Sequence, residues 1–349
     1  MELNAGVLFK VEVSDMEEDT DVFEETKEEK KVPKKYAMKA KEMIEHPETA
    51  PPILQPLLKH YNDLVQTEEN LKRQITELIK KELIYKEYLK HIKGIGPILA
   101  ANLIALIDVS KFKNPSKLWA YTGLSAEHYV NVCERGHKSI TSSQRITCPV
   151  KMANEKTGKF EVCGAKIVKS EYVKEPMKRK AGYVVLYNKK LKVAMWKVAQ
   201  AFIKTDGNYR ILYDEFKEQY LKREGMKKLH ANYMAMRKVE KIFLANLWSV
   251  WRHQLGLDVP KPYVVEKLGH TLDPPIVDDG FEVPMFRIYT DEDIKKLEEK
   301  RSILKPLVVS FYGIQKLRIE AFDRIVIQVQ TMETKKSQSK DNLKYRVEN

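Results

Sequence analysis

Residues 88–106, YLKHIKGIGPILAANLIAL, read as the end of one apolar helix, a Gly94-Ile95-Gly96 turn, and a second apolar helix opened by Pro97. Glycine at 94 and 96 permits positive φ and removes the Cβ, so an anionic oxygen can approach the backbone N–H groups of the turn. Pro97 falls where a missing N–H costs nothing, in the first turn of a helix whose positive dipole end faces the same anion. The stretch predicts a helix-hairpin-helix in which Lys93, Gly94, Ile95 and Gly96 receive a nucleic-acid phosphate. A structural turn that simply packs two helices is the competing reading.

Upstream, Leu54, Leu57, Leu58, Tyr61, Leu64, Val65, Leu71, Ile75, Leu78, Ile79, Leu83 and Leu89 recur at three- and four-residue steps between charged residues. This predicts one long amphipathic helix, or a hairpin of two, over 53–91. Its stripe needs a partner helix, either from this chain or from a second copy, which would make the protein a homo-oligomer. Downstream, Asn114 or Ser116 caps a helix carrying Leu118, Trp119 and Ala120, closed by Gly123.

After Leu124 the helical period is lost, and 125–182 read as short strands and turns, with NEKTGK (154–159) as a hairpin. Helices resume over 191–205, 208–224 and 230–256, where Trp196, Trp248 and Trp251 fall on apolar faces. Two further helices are predicted over 291–309 and 311–332, followed by a polar tail. The reading divides the chain into an acidic flexible leader (1–35), a long helical or coiled-coil segment (36–92), the helix-hairpin-helix region (93–130), a β-rich insert (131–182), a helical domain (183–260) and a C-terminal arm with helices (261–349). The fold class is thus mainly α: a helix-hairpin-helix DNA-binding domain after a long amphipathic helix, with a small β-rich insert.

The formal charge of +13 is unevenly placed. Residues 1–31 hold 4 Lys/Arg against 11 Asp/Glu, whereas 133–204 hold 17 against 5. A basic body with an acidic leader points to a polyanionic partner. The densest run, MKRKAGYVVLYNKKLK (177–192), combines Lys178, Arg179, Lys180, Lys189, Lys190 and Lys192 with Tyr183 and Tyr187. Lysines interleaved with aromatic rings suit phosphate contact with packing or stacking. No uninterrupted apolar run is long enough to span a bilayer, and no signal-peptide pattern opens the chain. The expectation is a cytoplasmic, nucleoid-associated protein with DNA as its partner and no membrane association.

The chain has three cysteines, too few for a disulfide framework at this length. Cys133-Glu-Arg-Gly-His137 has zinc-ligand spacing, and Cys148 and Cys163 flank the predicted hairpin that would bring them together. Cys133, His137, Cys148 and Cys163 would complete a closed structural Zn site and explain how a segment with few large apolar residues holds a shape. Three unrelated, partly buried thiols are the alternative. His230, His253 and His270 stand apart from other ligand types and are read as structural.

HIKGIGPILAANLIALI with DVSKFKNPSKLWAYTGL, YNKKLKVAMWKVAQAFIKTDGNYRILYDEFKEQY, and HANYMAMRKVEKIFLANLWSVWR, taken in that order after a long helix, resemble the C-terminal domain of insertion-sequence transposases related to the Piv/MooV DNA invertases. The resemblance covers roughly 53–130 and 183–255. It implies DNA recombination chemistry in proteins that join a RuvC-like DEDD domain to a serine-bearing domain. This sequence departs from that pattern in two places. About fifty residues stand before the long helix where the family has the acidic domain, and the position of the family's serine, counted from Gly123-Leu124, is Asn131. An amide supplies no nucleophilic oxygen. The sequence therefore predicts a transposase-derived, sequence-tolerant DNA-binding protein with no catalytic residues. Two alternatives stay open: an active recombinase using a displaced Ser139, Ser142 or Ser143, and a self-associating scaffold.

Overall fold

The computed structural model describes residues 34–153, 160–178, 180–260 and 275–347. Most of the predicted leader, the NEKTGK turn, Arg179 and part of the C-terminal arm lie outside the described residues. The protein is mainly helical with a small mixed sheet. The described residues divide into two compact units, one built from 34–75 and 306–347, the other from those within 76–305.

In the first unit, α1 (Lys34–Glu45) and the opening of α2 (Gln55–Lys80) pack on the C-terminal half of the last helix, α9 (Asp291–Val347). Leu54 and Leu58 meet Ile325, Val326 and Val329, with Tyr61 against Phe322. Further along, the Arg318 guanidinium pairs with the Glu68 carboxylate at 2.7 Å. Contacts that descend along α9 as they ascend along α2 describe an antiparallel pair. The apolar stripe of α2 thus finds its partner within the same chain.

Helix α9 is continuous where two helices and a polar tail were predicted. Leu297, Leu304, Val308 and Phe311 are buried at steps of seven, four and three, and Ala321, Ile325 and Val329 continue the stripe. Burial of this face outweighs the weak helix propensity of its β-branched residues. Pro306 lies inside the helix and withdraws one N–H from its ladder.

In the second unit α2 ends at Lys80, earlier than the stripe suggested, because Glu82 leaves helical geometry and becomes buried. Its carboxylate accepts from Tyr289 Oη at 3.0 Å and pairs with Lys300 Nζ at 2.9 Å, which meets the requirement that a buried charge be paired. Burial, then the Glu82 charge, holds the Tyr289 phenol well above its ordinary range. The helix before the glycine turn is accordingly a single turn, α3 (Leu83–Lys86), followed by a 3-10 turn at Leu89–His91.

Helix α4 (Pro97–Leu106) is buried over Ala100–Ala105 and packs on α6 (Lys189–Lys204). Helix α8 (Lys228–Gln254) receives α5 (Pro115–Tyr121), α6 and α7 (Asn208–Leu221). Phe202 stacks on Tyr209 at 4.5 Å with Phe243 edge-on to both, and Trp248 and Trp251 are buried.

Between α5 and α6 lies the strand-rich insert. Strands β1 (His128–Cys133), β2 (Lys138–Thr141), β5 (Ile167–Val173) and β6 (Val184–Val185) form a sheet in the order β5-β1-β2-β6, antiparallel except for the β2–β6 pair. Strands β3 (Lys151–Ala153) and β4 (Phe160–Val162) make a separate antiparallel ribbon.

Candidate nucleic-acid interface and metal centre

Gly94 has φ +96°, and Ile95 donates to Ile92 O at 3.1 Å, so the turn is a tight one. Ile95 is buried, while Lys93 and Gly96 are exposed. A Cβ at Gly94 would meet Thr205 Oγ1 at 3.1 Å and the Ala201 backbone at 3.2 Å, so this corner presses on the C-terminal end of α6. At Gly96 a Cβ would meet nothing within 4 Å.

The anion at this corner comes from the chain itself. The Lys93 N–H donates to Asp278 Oδ2 at 2.6 Å, and Asp278 Oδ1 accepts from the Asn208 N–H, at the start of α7, at 2.5 Å. Gly207 leaves room for that carboxylate, since a Cβ there would lie 2.9 Å from Asp278 Oδ1. The strap is held further by Asp278 N donating to His91 O, by a His91 Nδ1–Asp279 contact of 2.5 Å, and by Phe281 stacked on His91 at 3.8 Å. The Lys93 ammonium donates to Asp206 O at 2.7 Å. The backbone amides that hold a negative group here are those of Lys93 and of Asn208 at the start of α7, and the group is the Asp278 carboxylate.

Lysines 189 and 190 begin α6, so they and Gly94 are at opposite ends of one helix, about 20 Å apart at 1.5 Å per residue. Asn188 caps α6, its side-chain oxygen accepting from the Leu191 N–H at 3.0 Å and its amide donating to Tyr121 Oη at 2.8 Å. The first turn holds no acidic residue. Lys189 and Lys190 there add their charge to the positive end of the helix dipole. Lys178, Lys180 and Lys190 are exposed, Lys189 is half-buried, and Lys138 and Lys180 reach over the Tyr183 ring at 5.7 and 4.7 Å.

Lys192 differs from these. Its ammonium donates to Met177 O at 3.2 Å and lies 4.5 Å over the Tyr187 ring. Burial, then the neighbouring Arg237 charge, pushes its pKa down to about 8, against the pull of Glu240. Glu240 itself is 6% exposed, and burial pushes its carboxyl up to about 8 although Arg237 and Lys192 oppose the shift. This inward group of Lys192, Arg237 and Glu240 escaped the sequence reading, because Lys192 lies 45 and 48 positions from the other two and meets them only when α6 lies on α8.

The position expected to carry a serine is buried. Asn131 is 1% exposed on β1, with its amide nitrogen donating to Thr141 Oγ1 at 2.9 Å and its oxygen accepting from Ser170 Oγ at 2.8 Å. Ser139, directly opposite on β2, is also 1% exposed. Ser142 is half-buried and Ser143 exposed.

The four predicted metal ligands are brought together. Their ligand atoms all lie within 4.8 Å of one another, and this Cys3His group could hold a metal ion. His137 Nδ1 is 3.2 Å from Cys163 Sγ, 3.6 Å from Cys133 Sγ and 3.8 Å from Cys148 Sγ. A tetrahedral zinc with ordinary Zn–S and Zn–N bonds sets S···N edges of about 3.6 Å. One ring nitrogen has a single lone pair or a single hydrogen, so three sulfurs around it are better matched to a shared central ion than to hydrogen bonds.

Local backbone explains the convergence. A register shift after Val132 re-aims Cys133, and Gly136 at φ +78° lets Gly136 N donate to Cys133 O and Cys133 N to His137 O. On the other side Cys148 N donates to Ala165 O, Gly164 N to Cys148 O and Cys163 N to Val150 O. Burial pushes the Cys148 thiol up to about 11. Burial acts the same way on Cys133, but donation from the His137 and Arg135 backbone and from the other two thiols outweighs it and sets that thiol below its ordinary value.

Residues 86–131 match the family model described as transposase, IS116/IS110/IS902 family. The matched stretch runs from α3 through the glycine corner, α4 and α5 to Asn131, so this segment is transposase-like. No curated protein and no solved structure matches the chain. Among the described residues, no helix is long and apolar enough to cross a membrane.

Proposed function

We propose that this is a transposase-related DNA-binding protein that grips the duplex backbone with little regard to sequence, does not cut it, and carries a structural zinc ion on Cys133, His137, Cys148 and Cys163. The observation that carries the reading is the acid-free first turn of α6, where Lys189 and Lys190 add to the positive end of the helix dipole, with Lys138, Lys178 and Lys180 exposed in the same basic segment. Five lysines that each neutralise a phosphate make log K fall with log salt at a slope of roughly −4 to −5. Lys192 serves this surface from behind, by packing against Tyr187 and Met177. Gly96 and the first turn of α4 offer further amides, whereas Lys93 would have to give up Asp278 to reach a phosphate. Arg179 extends the cluster in sequence.

The reading that the chain does not cut rests on the burial of Asn131 and Ser139. Zinc, once bound, supplies cross-linking between the two ligand turns and no step of a reaction. A gel-shift series on unrelated duplexes of equal length tests the proposal. Wild type should retain all of them alike, and Lys189→Glu with Lys190→Glu should abolish retention at an unchanged melting temperature. Retention by the double variant would reject these contacts.

A further inference from the structure

The β3–β4 ribbon has no core of its own. All six of its paired residues are exposed, among them Phe160 at 72% and Val162 at 56%. The register pairs Lys151 with Val162 and Ala153 with Phe160. In an antiparallel ladder directly paired residues share a face, as do residues two apart, so Lys151, Phe160 and Val162 stand on one face. The ladder continues through Cys163 N donating to Val150 O, which puts Cys163 and Val150 on the other face, where Val150 packs with Cys133 and Cys148. The ribbon therefore turns one face to the ligand cluster and presents a phenylalanine, a valine and a lysine to solvent.

Isolated exposed apolar residues need no explanation, but a phenylalanine beside a valine on an otherwise unsupported ribbon does. The surroundings say what kind of partner fits. Arg145, Lys151, Lys166, Lys169 and Lys174 are all exposed on the same insert, so a polyanion is favoured over an apolar or a basic surface. A two-stranded ribbon fits a DNA groove, and apolar side chains pushed between base pairs are a known means of unstacking a step. We propose that the β3–β4 ribbon enters a groove of duplex DNA and that Phe160, flanked by Val162 and with Lys151 on a phosphate, unstacks one base step. This rests on the DNA-binding reading above and adds to it the element that deforms the duplex. The ligand turns at its base fix the direction in which the ribbon points.

The test uses the full chain and a duplex with 2-aminopurine at a central step, read by both gel shift and fluorescence. Wild type should bind and raise the fluorescence. Phe160→Ala should still bind, with affinity lower by roughly ten-fold, the scale of one lost base–aromatic stack, and should give no fluorescence rise. Phe160→Trp should restore the rise, which separates loss of the ring from loss of the fold. An unchanged rise with Phe160→Ala would overturn the proposal while leaving DNA binding intact. Failure of wild type to retain any duplex at low salt would instead remove the parent reading, and this one with it. A change in sedimentation of the DNA-free protein caused by Phe160→Ala would overturn the assignment in favour of a contact between copies.

Discussion

Removing the proposed zinc ligand Cys148, as Cys148→Ala, or treating the protein with a zinc chelator should unfold the insert locally while leaving the helices folded. The size of the effect follows from how little else holds the two ligand turns. Their shared core is Cys133, Cys148 and Val150, with Cys163 and Ala165 against it. Val150 is the one large aliphatic side chain there, and its burial is worth about 1.5–3 kcal/mol. Fixing the backbone of about twelve residues in these turns costs roughly 10–20 kcal/mol. A structural zinc site contributes about 10–16 kcal/mol, comparable to that cost, so the turns close only with the ion. The assay is amide hydrogen exchange with metal analysis on the same sample. Wild type should contain one zinc per chain and protect the amides of Cys133, Gly136, Cys148, Cys163 and Gly164, whose acceptors are all within the turns. After chelation these five should exchange freely while the α8 amides stay protected. A metal-free preparation in which the five remain protected would refute the reasoning.

Three further outcomes are expected. Asp278→Ala removes the acceptor for the Lys93 and Asn208 N–H groups and should cost roughly 2–4 kcal/mol in chemical denaturation, the scale of two charge-assisted hydrogen bonds; a cost under ~0.5 kcal/mol would mean that the strap is not held there. Glu240, facing Lys192 and Arg237, keeps its proton in the folded state up to about pH 8, above the ordinary carboxylate range, so wild-type stability should decline as pH rises toward and through 8. Glu240→Gln removes that decline, and its unfolding free energy should gain on wild type between pH 5 and 9 by an amount on the order of a few kcal/mol; a pH-independent difference would contradict the buried, proton-holding carboxyl. Asn131→Ser should yield no covalent adduct with a nicked suicide duplex and should destabilise by about 1–3 kcal/mol, because contacts to Thr141 and Ser170 are lost within the sheet. Appearance of an adduct would show that the strand opens to DNA.

Much of this architecture was legible in the residue pattern where a feature is local. The stripe of α2, the capping of α5 by Asn114, and the loss of helical period after Leu124 all come from residues within a few positions of one another. The Cys3His group was legible too, since its spacing carries the chemistry and only a hairpin was needed to close it. What escaped the pattern depends on distant partners. Glu82 ends a helix because Tyr289 and Lys300 wait for its carboxylate, and α9 runs on past Val309 because its apolar stripe continues. At the glycine corner the Asp278 carboxylate that accepts from Lys93 N comes from 185 residues away, beyond the reach of any local pattern.

The central claim, a lysine surface at the start of α6 that holds the DNA backbone, is tested most directly by the salt dependence of binding. Affinity for a duplex of arbitrary sequence is measured between 50 and 200 mM salt for wild type and for Lys189→Ala with Lys190→Ala. The account predicts a log–log slope of about −4 for wild type, shallower by about 2 in the double variant. A wild-type slope near zero, or an identical slope in both proteins, would contradict it.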